Sequence, residues 1–524
     1  MRKLFRERCY RLAVWGAVSF LVAFIVFVCA RRDPSREQRS IASKRLVRGS
    51  ILDENRVPIA GARVRLNHGP IVTQTDTRGA FALPDPEIRP FSLTAWKARY
   101  LIGGMSFSEQ PAIMKLRRLP DEDNAGYIWV DPRPDSAKEE RCGNCHTEIF
   151  DEWWASGHAD SARNRRFLSL VEGTDWHGRS QVGWSLRDEH PLGVGVCAAC
   201  HAPGIDFDAG ASDDIRDVTG VASLGVHCDF CHKIRDVVTN DFGLVHGRFG
   251  FQLLRPHKGQ LFFGTLDDVD RGEDTYSPLQ HESRYCASCH EGVVFGVHVY
   301  STYSEWLASP AKRQGQSCQS CHMAPTGRMS NIAPGAGGIE RDPATLGSHT
   351  LLPGGRKAML QKCLQLDIAL EMQTNAVGCC ITLTARNVGH QVPTGFIDRH
   401  LILVVEPLDA ARRLLPLQSG PTLPSEVGDQ LSALPGRWFG RLLTDDSRRS
   451  PIPFWHPART TTDSRLKPEQ PVATTFSFPA ETHQVRTRVL YRRFWKSIAD
   501  DKLWPDDTIT VYDERRTTSN PDRG

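Results

Sequence analysis

Five times the chain repeats the pattern Cys-x-x-Cys-His: CGNCH at 142–146, CAACH at 197–201, CDFCH at 228–232, CASCH at 286–290 and CQSCH at 318–322. Random placement of 15 Cys and 19 His along 524 residues would give far less than one copy. On a helical turn, positions i, i+3 and i+4 share one face. Two thiols can therefore bond the two vinyl groups of a haem while the following imidazole reaches its iron. A zinc site or a disulfide framework explains a lone motif of this kind. Neither explains histidine in fifth place five times. The expected cofactors are five covalently attached haem c groups with their irons. They would be held by Cys142, Cys145 and His146; Cys197, Cys200 and His201; Cys228, Cys231 and His232; Cys286, Cys289 and His290; and Cys318, Cys321 and His322.

Each motif supplies one axial ligand, and the ligand on the opposite face sets spin state and potential. Fourteen His lie outside the motifs, while Met323 and Met329 are the only Met in the haem region. Mostly bis-histidine irons with low potentials are therefore expected. His158 stands in a Trp/Ser/Gly segment after the first motif, and His298 lies in an apolar aromatic stretch where an unpaired imidazole is costly to bury. His349 and His390 stand in Gly/Pro loops beyond the last motif. These four are the leading distal candidates, and His227 and His246 are weaker ones. His177, His190, His257, His281 and His400 read as surface or packing residues.

The segments CGNCHTEIFDEWWASGHA (142–159), GVHCDFCHKIRD (225–236), YCASCHEG (285–292), YSEWLASP (303–310) and SCQSCHMAP (317–325) carry a resemblance. Over roughly residues 121–395 the chain resembles the multihaem c-type cytochromes that include the tetrahaem carriers of ammonia oxidisers and hydroxylamine oxidoreductase. The resemblance implies a distal role for His158, in Trp-x-x-Ser-x-His, and for His390, in Gly-His-x-x-Pro-Thr-Gly. It contains both carriers and enzymes, and so does not choose between them.

The motif starts are separated by 55, 31, 58 and 32 residues, an alternation that suggests a duplicated unit. DEWWASGH at 151–158 and SEWLASPA at 304–311 align weakly, with Trp153 opposite Trp306, Ser156 opposite Ser309 and His158 opposite Ala311. The second copy lacks the imidazole, leaving one distal ligand undetermined.

Other elements must position this region. Leu12–Ala30 is a 19-residue run without a charge, long enough to span a bilayer. An uncleaved anchor is expected over 1–31, with a cytoplasmic tip and a linker over 32–46; a cleaved signal peptide is the rival. Because bacterial haem c is attached outside the cytoplasm, the bulk of the chain is expected in the periplasm, tethered to the inner membrane by one pass. Residues 47–118 alternate apolar with polar or small residues, with a turn at TDTRG (75–79). VPIAGARVRL followed by TQTDTRGAFALPD looks like the carboxypeptidase regulatory-like family. That resemblance implies a small β-sandwich serving as a spacer. A mainly α-helical, loop-rich pentahaem domain is expected over 119–345, and a C-terminal β-sandwich over 346–516 with His390 in a loop after its second strand. The remaining 517–524 read as a disordered tail. Cys363, Cys379 and Cys380 could form a disulfide in an oxidising compartment, with no pairing readable.

The composition, 40% apolar and 24% charged, excludes a disordered or fibrous chain. The net charge of +4 gives no sign of a nucleic-acid partner. The expected function is electron transfer between redox proteins of a respiratory chain. The alternative is an oxidoreductase acting on a small nitrogen or sulfur oxyanion at one haem with an open distal position. No catalytic residue is assigned.

Overall fold

The computed structural model describes residues 45–86, 90–107, 111–191, 195–205 and 214–518. The expected anchor at Leu12–Ala30 and the tail beyond 518 lie outside the described residues. Among those described, no helix is long and apolar enough to cross a membrane.

The chain divides into two compact units. One holds residues up to Arg118 together with Asp268–Gly272; the other holds Leu119–Asp267 and Glu273 onward. In the first unit, Leu46–Asp53 is the centre of a three-stranded sheet, antiparallel to Ala80–Pro84 and parallel to Ala112–Leu116. A four-stranded sheet runs in the order Val72–Gln74, Arg63–Leu66, Phe91–Trp96, Gly103–Phe107. Both sheets contribute to one apolar core through Val47, Ile51, Leu83 and Leu116 from the first and Val64 and Leu93 from the second. Successive strand residues face opposite ways, so the alternation seen in the sequence becomes this two-layer arrangement. Only glycine fits at position 49, because a Cβ there would lie 2.1 Å from the Ala112 carbonyl oxygen. At TDTRG, Asp76 Oδ1 accepts from the backbone N–H groups of Arg78 and Ala80, and Gly79 takes φ +72° to close the turn.

In the second unit, the motif-bearing stretch is made of short helices, none longer than eight residues among those described, 3₁₀ turns and two-stranded hairpins. Gly/Pro-rich connections keep each helix to a turn or two. The C-terminal part forms two sheets. Leu364–Gln373, Ala376–Ala385 and Pro471–Pro479 make the smaller, while the larger runs Thr460–Asp463, Gly436–Thr444, His400–Leu408, Gln484–Arg492, Ile509–Thr517. Its central strand is buried on both faces. Leu401, Leu403 and Val405 pack with Ile381, Leu383, Phe476 and Phe478, while Ile402 and Val404 lie under Leu423, Val427 and Leu431. That explains why HLILVV is continuously apolar rather than alternating. A helix at Gly355–Cys363 precedes these strands. Cys363, Cys379 and Cys380 are free thiols, and the adjacent pair on one strand points to opposite faces.

The haem-motif stretch and the C-terminal sheets are joined within this unit by buried polar groups. Lys502 is fully buried, and its Nζ donates to the carbonyls of Ser169, Thr174 and Val182 at 3.0, 3.1 and 2.8 Å. Arg441 donates to the carbonyls of His298 and Val299. Leu170 packs with Trp495, Ile498 and Trp504.

Candidate haem-binding site

Each motif sits on one helical turn: Cys142–Cys145, the end of Gly195–His201, Cys228–Cys231, the end of Arg284–His290, and Cys318–His322. Four of the motif imidazoles are oriented by a backbone carbonyl. Nδ1 of His146 donates to Ile332 O at 2.7 Å, that of His201 to Ser161 O at 2.9 Å, that of His232 to Phe263 O at 2.6 Å and that of His322 to Leu351 O at 2.9 Å. A carbonyl only accepts, so the proton is on Nδ1 and the Nε2 lone pair is left for a metal.

The motif thiols meet one another. Cys142 and Cys228 are within hydrogen-bonding reach, as are Cys200 with Cys289 and Cys286 with Cys318. Cys231 lies near both Cys286 and Cys289. Five motifs spread over 181 residues thus form one cluster, with the fourth motif beside the second, third and fifth.

DEWWASGH and SEWLASPA correspond in space as well as in sequence. Trp153 Nε1 donates to Val226 O at 2.8 Å, and Trp306 Nε1 to Gln316 O at 2.9 Å. Each carbonyl stands two residues before the first Cys of a motif, Cys228 and Cys318. The third motif and the fifth are therefore equivalents, paired through thiols with the first and the fourth respectively. This places the first motif opposite the fourth, as the alignment of DEWWASGH with SEWLASPA has it.

The distal candidates separate into two groups. His158 faces His290 with ring centres 6.3 Å apart, and His390 faces His322 at 6.2 Å. His349 is buried, with His232 and, more weakly, His146 near enough to disfavour its protonated form further. Crowding by protein pushes His158 and His349 down to about 4 and His290 to about 3. All three are thus neutral imidazoles, the form that binds metal. The second group is placed otherwise. His298 Nε2 donates to Glu291 Oε1 at 2.5 Å on the hairpin Glu291–Ser301, with its side chain 42% exposed; this hydrogen bond answers the burial argument made for it. His246 lies against the Gly292–Val293 backbone. His227 is fully buried and caps the third motif's helix, its Nδ1 accepting from Phe230 N at 3.2 Å, while its Nε2 has no partner. His400, read as a surface or packing residue, is in the sheet core, stacked on Trp495 at 4.4 Å.

Ala311, opposite His158 in the repeat, is buried and 3.3 Å from where a Gly389 Cβ would stand. An imidazole at 311 would displace the loop that carries His390. The missing histidine therefore makes room for a ligand candidate from elsewhere in the chain.

These residues fit haem. Two metal–nitrogen bonds of about 2 Å each, with about 1 Å from nitrogen to ring centre on either side, span roughly 6 Å between ring centres. That is the separation of His158 from His290 and of His390 from His322. Residues 141–233 match the family model described as cytochrome c554 and c-prime. The fold is similar to that of a penta-heme cytochrome c552 from Thermochromatium tepidum, with a TM-score of 0.53 and 21% identity over 72% of this chain and 97% of that one. Both likenesses are to c-type cytochromes, one over residues 141–233 and the other in fold. No curated protein matches the chain. Sequence reasoning did not find the groups that support the motif imidazoles. The carbonyls of Ile332 and Phe263 that orient motif imidazoles leave no trace in residue type. Glu152 and Glu305, which hold the His349 and His390 loops, did leave one, since both precede the repeated Trp.

Proposed function

We propose that the protein binds five haem c groups at its five motifs and carries electrons between redox proteins of a respiratory chain. When bound, the haems supply reversible one-electron transfer at iron. The facing imidazole pairs carry this reading. His290 with His158 and His322 with His390 are set at the separation that two axial ligands of one iron require; His349 beside His232 supports a third pair. Two neutral imidazoles on one iron favour low-spin, low-potential carriers over ligand-binding sites. The clustered thiols support closely packed haems, so the protein's task is to fix their spacing and exclude water. On this reading the bulk of the chain lies in the periplasm, with Leu12–Ala30 as its anchor and the N-terminal sandwich as a spacer of carboxypeptidase regulatory-like type.

A second reading, an oxidoreductase for a small nitrogen or sulfur oxyanion, is favoured by one observation. The ring stacked on His201 is that of Phe167, at 3.8 Å, and among the described residues no imidazole stacks with it. Haem staining of a denaturing gel and electronic and paramagnetic-resonance spectra of the oxidised protein test both. Five covalent, low-spin haems support the carrier. One high-spin haem that binds cyanide or nitrite supports the oxidoreductase, and absence of covalent haem overturns both.

A further inference from the structure

In both copies of the repeated Glu-Trp segment, the glutamate reaches out of its own helix to a loop that arrives from much later in the chain. Glu152 Oε2 accepts from the backbone N–H of His349 at 2.6 Å. Glu305 Oε2 accepts from Gln391 N, the residue after His390, at 3.1 Å and from Thr394 Oγ1 at 2.9 Å. The neighbouring tryptophan in each copy holds the other side of the same site: Trp153 ties down the approach to Cys228, and Trp306 the approach to Cys318. One dipeptide thus grips a motif with its indole and the loop of a histidine candidate with its carboxylate, and it does so twice. The two loops share little sequence, GSHTLLPGG against NVGHQVPTG, so the matching contacts come from the repeat rather than from the loops.

We infer that Glu152 and Glu305 are equivalent positioning residues. Through these backbone contacts they set His349 over the iron of the third motif and His390 over that of the fifth. The inference rests on the bis-histidine reading proposed above. A loop of glycines and prolines does not by itself hold an imidazole to the few tenths of an ångström that an axial bond needs, and a charged acceptor bonded to its backbone supplies that restraint. The two sites differ in support. Glu305 is also paired with Arg465, Nη1 to Oε1 at 2.6 Å, both side chains 5% exposed, and its Oε1 accepts from Ser301 Oγ at 2.5 Å. Glu152 is half-buried and is the cleaner position to test.

The test uses the full-length, haem-loaded protein and reads paramagnetic-resonance signals, haem content and redox titration. Glu152→Ala is expected to keep the wild-type haem content while one low-spin haem converts wholly or partly to high spin, and added imidazole is expected to restore it. Glu152→Gln, whose amide oxygen still accepts the His349 N–H, is expected to keep every signal. His349→Ala should remove the same low-spin signal as Glu152→Ala, and the double variant should lose no more than one. If His349→Ala loses one low-spin haem while Glu152→Ala changes none, the positioning role is overturned and the ligand assignment stands. If His349→Ala leaves all signals in place, the ligand assignment itself is wrong. Should the alanine chain not fold, Glu152→Asp keeps the charge and shortens the reach by one methylene. A weakened or shifted signal of that one haem supports the inference, and an unchanged spectrum overturns it.

Discussion

At the scale of single residues, the motif histidines and their facing imidazoles divide the work between chemistry and orientation. The motif fixes which nitrogen-bearing side chain is proximal, and in four of the five a carbonyl on Nδ1 fixes which nitrogen carries the proton. His158 has the sharpest consequence. Replacing it with Met puts a thioether where an imidazole faces His290, and Met ligation raises the potential. His158→Met is expected to move one step of the redox titration upward by a fraction of the roughly 0.8 V range that axial ligands span. The other steps should stay in place; a curve shifted at every step, or at none, would count against the pairing with His290. The residue types at these positions were legible in the sequence. The pairing of His298 with Glu291 was not, because the carboxylate becomes its neighbour only when the hairpin folds.

At the scale of elements, the C-terminal sheets act as a clamp on the haem-motif stretch. Lys502, on the turn after the helix Lys496–Asp501, donates to three carbonyls between Ser169 and Val182, more than 300 residues earlier. Lys502→Met keeps the apolar stem and removes all three donors. A loss of about 1–3 kcal/mol is expected, the cost of leaving the Val182 carbonyl unsatisfied, because Ser169 O still accepts from Thr174 N and Thr174 O from Ser169 Oγ. A lowered midpoint of urea unfolding with unchanged slope checks it. Asp398, just before the central strand His400–Leu408, is buried and accepts from Trp495 Nε1 at 3.2 Å. Burial pushes its carboxyl up to about 7 from the ordinary 3.8. Between those values the native state holds a proton that the unfolded state has lost. This group's contribution is therefore complete below about pH 4 and fades as pH rises through 7. Unfolding free energies measured from pH 4 to 8 should show a decline of a few kcal/mol at most that Asp398→Asn removes. A variant with the same pH dependence as the parent would sink this account. The strands of HLILVVEPL and VRTRVLYRRF were readable from their apolar runs. Gly436–Thr444 and Thr460–Asp463 were not, since the first is interrupted by Gly and Arg and the second, TTTD, is exposed along its length.

At the scale of the whole molecule, the stretch 119–345 holds every motif yet, apart from Asp268–Gly272, belongs to one compact unit with the sheets that follow it. His349 and His390 come from beyond that stretch, as do Lys502, Arg465 and Arg441, which bind it to the sheets. A chain ending at residue 345 is therefore expected to attach haem at its motifs but to show fewer low-spin haems than the full chain. It should also be cut by protease under conditions that leave the full chain intact. A stable, fully low-spin truncated protein would show that the sheets are dispensable.

The sequence by itself determined the chemistry: thiols and imidazoles at i, i+3 and i+4 are a local pattern, set by the pitch of a single helical turn. It also determined most strands, because burial of alternate or consecutive residues is written in their order. The tertiary structure alone decided which motif stands beside which, which distant imidazole faces each one, and what holds it there. Those are contacts between segments tens to hundreds of residues apart, many made by backbone carbonyls and N–H groups that every residue type carries. No residue's identity records such a partner until folding brings the two together.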